Sequence, residues 1–250
     1  MRPMLTLVYS YYENWKMLQE QLKFWSEYPP NVLKHVEFIV TDDCSTNAPL
    51  TSAFVLPANL NIRIFRITKK VPWNWLACRN IGAHHAKGDW LLLTDMDHVL
   101  LPQYSNQTLL LTKKLSPDFV YMFSRRDMPH MKKVPHHKDS FFLSKDLFWR
   151  SGGYDEDLSG HYGTSGQFRR RVIKCATGWE ILDIPLIRYS RSVIDDACTV
   201  NFVRKTADGA HHRAMKKIIR NKILSGTSNV IKTLSFPYEE VPYGPKSKIP

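Results

Sequence analysis

The chain lacks any apolar run approaching the roughly 20 residues that a membrane-spanning helix requires. Its opening, Met1-Arg2-Pro3-Met4-Leu5-Thr6-Leu7-Val8-Tyr9, turns polar too soon for a secretory signal and reads as a first strand. The four cysteines, Cys44, Cys78, Cys175 and Cys198, are far apart and contain no Cys-x-x-Cys pair. That argues against a structural zinc site and supplies no disulfide framework, so a reducing cytoplasm is the expected location. Neither an internal repeat nor a linker long enough to separate domains stands out. Acidic residues are scarce beside basic ones, 23 against 35, for a formal charge of +12 and a pI near 9.5. This excess points to a polyanionic partner: nucleic acid, an anionic membrane surface or an acidic glycan.

With 250 residues, 43% of them hydrophobic, the chain can bury the core of one α/β domain. Short β-rich runs occur at 5–9, 36–41, 62–68, 90–94, 119–123, 140–143 and 180–184. Trp15, Leu18, Leu22 and Trp25 share one helical face, which stops before Pro29-Pro30, and a second helix is expected over 76–86, closed by Gly88. Strand–helix–strand alternation predicts a mostly parallel sheet with right-handed crossovers, and ligands collect outside the carboxyl ends of such strands. Residues 124–139 read as a basic loop across the front of the sheet. A short helix over 145–150 precedes a turn at Gly152-Gly153. Residues 208–224 form an amphipathic pattern, with Met215, Ile218, Ile219 and Ile223 on one face and Arg213, Lys216, Lys217 and Arg220 on the other. The proline-rich end reads as an extended tail.

The run Trp90–Leu93 ends in two carboxylates, Asp95 and Asp97. In an extended chain, residues i and i+2 point to one side, so the pair can converge on a hard cation such as Mg²⁺ or Mn²⁺, leaving positions for water and phosphate. The plain alternative is a solvated turn at a strand end. Asp42-Asp43 ends another strand, where an Asx-turn is the alternative. Trp73 and Trp75, just before the second helix, read as buried aromatics at its entry.

Taken in order, four segments resemble the GT-A glycosyltransferases of family 2: Tyr9–Asn14, Ile39–Thr46, Arg79–Gly82 with Ala86–Asp89 leading to Asp95, and Gly152–Leu158. The likeness covers about residues 4–175. It implies a Rossmann-like, mostly parallel mixed sheet flanked by helices. Residues 1–205 would be the catalytic domain, 1–100 being the nucleotide-sugar half and 101–205 the acceptor half. Residues 206–250 would be a basic helix and tail packed on it. The resemblance places Ser10, Tyr11, Asp42, Asp43, Arg79 and Asp95 at the nucleotide. It gives Asp95 and Asp97 a Mn²⁺ or Mg²⁺ ion, completed by a later histidine among His98, His136, His137, His211 and His212, with His211 preferred. The implied activity is that of a hexosyl- or pentosyltransferase, with a UDP-sugar as the expected donor.

One departure concerns the catalytic base. The family's acidic pair falls where this chain has Thr164-Ser165, so the base is expected at Asp157 or, next, Asp155; a retaining outcome or lost catalysis are the alternatives. Arg169, Arg170, Arg171, Lys216 and Lys217 put positive charge on the acceptor side. They favour DNA as acceptor, concretely a hydroxymethylated base in a phage-like modification within an infected bacterial host, reached by base flipping. A surface polysaccharide or lipid-linked glycan is the alternative acceptor. An inactive nucleotide-sugar or nucleic-acid binding module is the alternative class.

Overall fold

The computed structural model describes residues 4–161, 164–198, 209–224 and 234–242. Its centre is a parallel group of four strands, β1 (Leu5–Tyr11), β2 (Val36–Asp42), β3 (Ile62–Ile67) and β4 (Trp90–Asp95), in the spatial order β3-β2-β1-β4. Their near-continuous apolar runs follow from burial on both faces: all seven residues of β2 are buried, and five of the six in β4. Beyond β4 the sheet continues with antiparallel and mixed pairings. Here lie β5 (His98–Val99), β6 (Phe119–Asp127), β7 (Lys132–Val134), β8 (Phe141–Ser144) and β9 (Gly178–Arg188). From β4 outward the order is β8-β6-β9-β5, with β7 paired to β6. The expected α/β class and mixed sheet are thus present.

Two stretches differ from expectation. The supposed loop 124–139 begins as the continuation of β6 and turns back as β7, pairing Arg125 with Val134 and Asp127 with Lys132. Charged side chains at this sheet margin hide the alternation that marks a half-buried strand. In the proline-rich end, β10 (Tyr238–Glu240) adds antiparallel to β3, with Pro237 and Pro242 outside the pairing, as an edge strand allows.

Helix α1 (Trp15–Ser26) buries Met17, Leu18, Gln21, Leu22 and Trp25 on one face of the sheet, and Trp25 stacks on Phe38 at 4.6 Å. Its first amides are capped from afar: the Asp196 carboxylate accepts from Lys16 N at 2.7 Å and Met17 N at 2.9 Å. A short α2 (Pro30–Leu33) follows. On the opposite face α3 (Trp75–His85) buries Leu76, Ala77, Ile81 and Ala83. Further on come α4 (Pro102–Leu111), α5 (Lys145–Arg150), a 3₁₀ turn over Glu156–Leu158, α6 (Ser165–Cys175) and the basic α7 (Gly209–Leu224). In α7, Ile218 and Ile219 pack against the core while Arg213, Lys216, Lys217 and Arg220 are exposed. The side chains of Met215 and Ile223 lie outside the described residues. Among the described residues no helix is long and apolar enough to cross a membrane.

The approach of α3 to β1 is set by glycine. A Cβ on Gly82 would stand 2.3 Å from Val8 Cγ1, so any side chain there pushes the helix off the strand. Gly82→Ala should destabilise the fold by about 1–3 kcal/mol, and adding Val8→Ala should recover some of the loss. Urea unfolding of the two variants measures this, and a double variant no more stable than Gly82→Ala would refute the contact as the cause.

Candidate functional site

The carboxyl ends of β1, β2 and β4 and the start of α3 meet where chain order reverses, β2 lying on one side of β1 and β4 on the other, the place where open sheets form their ligand crevice. Asp95 is the last residue of β4. The chain then turns through Met96 and Asp97, and His98 opens β5. Buried Gln21 of α1 holds this turn, its amide donating to Met96 O at 2.8 Å and His98 O at 2.9 Å. Because the strand ends at Asp95, the two carboxylates do not project from one extended segment. Asp97 turns instead to His98, with Oδ1 2.7 Å from Nδ1.

Arg79 is fully buried at the centre of the site. Its guanidinium donates to Asp95 Oδ1 at 2.6 Å, to Tyr154 Oη at 2.8 Å and to the backbone oxygen of Asp139 at 2.5 Å. It also lies over the Trp75 ring, 4.7 Å from the centroid, which accounts for that aromatic at the helix entry. The adjacent Asn80 grips the glycine turn, accepting from Tyr154 N at 2.8 Å and donating to Tyr154 O at 2.8 Å and Glu156 Oε1 at 2.9 Å. Gly153 has φ +65°, and a Cβ there would meet Asn80 Oδ1 at 3.0 Å, which explains the glycine.

Asp95, His98 and His137 offer ligand atoms that lie within 4.8 Å of one another. His137 arrives because β8 runs antiparallel to β4, pairing Phe141 with Leu93 and bringing 137–140 beside Asp95. Its Nδ1 is 2.9 Å from Ser140 Oγ, itself 2.6 Å from Thr94 Oγ1, and its Nε2 is 3.6 Å from Asp95 Oδ2. His98 Nε2 is buried with no hydrogen-bond partner. When Nδ1–H is donated to Asp97, Nε2 presents its lone pair, the carboxylate–histidine arrangement that orients metal ligands. The donor set of one carboxylate and two imidazoles therefore fits a divalent transition cation such as Mn²⁺. Burial alone would raise the Asp95 carboxyl, but Arg79, then His137 and His98, hold it below the usual range. Burial pushes His137 down to about 4 against the pull of Asp95.

At the carboxyl end of β1, Ser10 Oγ donates to Trp75 O at 3.3 Å and buried Tyr11 donates to Ala48 O at 2.6 Å. Both Asp42 oxygens are engaged, accepting from Ser45 N at 2.8 Å and Leu50 N at 2.9 Å. Asp43 accepts from Asn74 N at 2.8 Å through one oxygen, while its other oxygen and both Asn74 amide atoms are buried without partners. Burial raises both carboxyls, Asp43 well above the usual range. Glu13 was not singled out by sequence; its carboxylate accepts from the amides of Thr46, Asn47 and Ala48 and closes the loop after β2.

After the glycine turn, Lys222 of α7 meets Asp155 at 2.7 Å and Asp157 at 2.7 Å, so both expected bases are ion-paired. Arg171 points inward and donates to Ser151 O and Gly153 O, whereas Arg170 is exposed and Arg169 reaches Lys138 O at 3.4 Å. Lys216 and Lys217 are exposed on α7. His211 lies in α7 with its side chain outside the described residues. Asp139 carried no sequence signal, being one acid in a basic stretch, yet it stands beside Asp95 and Arg79.

The parallel core, its switch point and the acidic strand end define the GT-A type of nucleotide-diphospho-sugar transferase fold. The profile of glycosyl transferase family 2 matches residues 7–176, and the chain belongs to that family. No protein with a curated description matches. Among solved structures, S. aureus TarS 1–349 in complex with UDP-GlcNAc is similar at TM-score 0.57 and 15% identity, over 75% of this chain and 59% of that one. The same fragment without ligand aligns at TM-score 0.58 and 15% identity, over 90% of this chain and 73% of that one. The mannosyltransferase PcManGT of Pyrobaculum calidifontis, in complex with GDP-Man and Mn²⁺, aligns at TM-score 0.54 and 15% identity, over 75% and 57% respectively. In the two ligand-bound comparisons the chain thus spans little more than half of the other protein.

The depressed His137 makes folding acid-sensitive. Its ordinary value is 6.5 and its folded value about 4, so the unfolded chain binds a proton that the folded chain refuses. The contribution is fully present above pH 6.5 and is lost as pH falls from 6.5 toward 4. In metal-free denaturation, His137→Asn should lose less stability between about pH 7.5 and 5 than the parent protein. Equal losses in both would count against a buried neutral imidazole.

Proposed function

We propose that the chain is a metal-dependent glycosyltransferase that moves a sugar from a nucleoside-diphosphate sugar to a hydroxyl of a polyanionic acceptor. The observation that carries this reading is His98 Nε2, buried without a partner beside Asp95 and His137 at the end of β4. These three residues would hold Mn²⁺ or Mg²⁺, with Asp97 acting through His98. The chemistry such a cation would supply is charge neutralisation of the donor's diphosphate as it leaves.

The chain's own groups supply the rest. Arg79 fixes the Asp95 carboxylate and keeps it ionised. The unpartnered Asp43 and Asn74 atoms support a hydrogen-bonding site for the base or ribose, with Ser10 and Tyr11 shaping its floor from β1. Asp42 builds the adjoining loop. UDP is the favoured carrier, in keeping with the UDP-GlcNAc complex of the TarS fragment, and GDP is the competing one, in keeping with the GDP-Man complex of the mannosyltransferase.

The acceptor reading rests on charge: a formal +12, with exposed Arg170, Arg213, Lys216, Lys217 and Arg220. Its finer version is a hydroxymethylated base in DNA, with an anionic surface or lipid-linked glycan as competitor. Nucleotide release should be screened from UDP-GlcNAc and GDP-mannose with Mn²⁺, offering unmodified DNA, hydroxymethylated DNA and simple glycans. Release that requires hydroxymethylated DNA supports the finer version; release with glycans alone overturns it. Asp95→Asn should abolish turnover, and Asp97→Asn should weaken Mn²⁺ binding about 10–100-fold. Calorimetry with Mn²⁺ checks the second effect, and unchanged affinity would remove Asp97 from the metal's support.

A further inference from the structure

At the start of α6, where the resemblance places an acidic pair, stand Thr164 and Ser165. Ser165 is not alone there, since it neighbours the Asp139 carboxylate. Asp139 comes from a different region of the chain, the segment just before β8. The antiparallel pairing of β8 with β4 and the Thr94–Ser140 hydroxyl contact fix that segment beside the end of β4. Arg79 secures it again by donating to the Asp139 backbone oxygen while its other nitrogen holds Asp95. The charged groups that act on the Asp139 carboxylate are Asp95, Arg79 and Arg169.

Asp139 Oδ1 is buried and accepts no hydrogen bond. A carboxylate oxygen withdrawn from water without a donor is costly, and such atoms in folded proteins call for a specific explanation. An O–H that arrives only with a substrate supplies one. Asp155 and Asp157 are differently placed: Lys222 takes both Asp155 oxygens and Asp157 Oδ2. For either to receive a proton, that ion pair would first have to break.

We propose that Asp139, rather than Asp157 or Asp155, is the catalytic base, an assignment that rests on the glycosyl-transfer reading above. The acceptor oxygen bonds to the anomeric carbon of the donor sugar. The bond from that carbon to the diphosphate oxygen breaks, its electron pair staying on the diphosphate, and the hydroxyl proton passes to Asp139. Arg79 holds the Asp139 backbone in place, and the acid is thereby supplied from the segment before β8 instead of from the start of α6.

The test compares the parent protein with Asp139→Asn, Asp155→Asn and Asp157→Asn. It measures UDP binding with Mn²⁺ by calorimetry, and nucleotide release from UDP-GlcNAc and GDP-mannose with hydroxyl acceptors or with sodium azide. Azide is an anionic nucleophile that needs no deprotonation. Asp139→Asn should bind UDP as the parent does and lose about 100-fold or more in transfer to hydroxyls. Its transfer to azide should match the parent's, while Asp157→Asn should keep hydroxyl transfer. Hydroxyl transfer retained in Asp139→Asn overturns the assignment and leaves the glycosyltransferase reading intact. So does an equal loss with azide and hydroxyls, which marks a structural role. A parent protein that binds no UDP and releases no nucleotide overturns both.

Discussion

The site depends on the ion pair between the fully buried Arg79 and the half-exposed Asp95. A guanidinium with no exposed surface must find acceptors inside the protein, and Arg79 finds them on three separate segments: the end of β4, the strand-to-strand connection at Asp139, and Tyr154 after the glycine turn. Burial is therefore a constraint on geometry, because the planar fork satisfies its partners only when all three arrive together. Removing the Asp95 carboxylate would leave a guanidinium with no exposed surface short of one of its three acceptors. Asn80, the next residue on α3, adds a second grip on the glycine turn. A single helical turn thus binds the donor-side strand end to the acceptor-side segments.

The central strands were legible because burial leaves short apolar stretches in each, such as Phe38–Val40 in β2 and Trp90–Leu93 in β4. So were α1, α3 and the basic helix, whose apolar residues recur at helical spacing. The sheet margins were not, since β5 has two residues, β7 is carried by lysines, and β10 sits between prolines. Helix α4 has little amphipathic contrast, and α6 presents three consecutive arginines that read as a charge patch before they read as a helix.

The site divides in the same way. Asp95 was visible because it terminates an apolar run. His98 and His137 stood only among several histidines, because their proximity follows from the antiparallel return of β8, a long-range pairing with no local mark. The Asp42-Asp43 turn was visible as a motif, but its two acids differ in a way that needs coordinates: Asp42 spends both oxygens on backbone amides, and Asp43 keeps one unpartnered. The arginine triplet likewise separates into an inward structural residue, a half-buried one and an exposed one.

Asp196 joins the start of the domain to its far end. The residue that caps the first helix lies 180 positions after the first amide it satisfies, and Asn14 and Lys16 add further links to the same short segment. A chain ending before Asp196 would have these α1 amides uncapped, and Gln21, which steadies the Asp95–His98 turn from that helix, would rest on a frayed support. Loss of that distant segment would thus reach the candidate metal centre through α1 without touching any of its ligands.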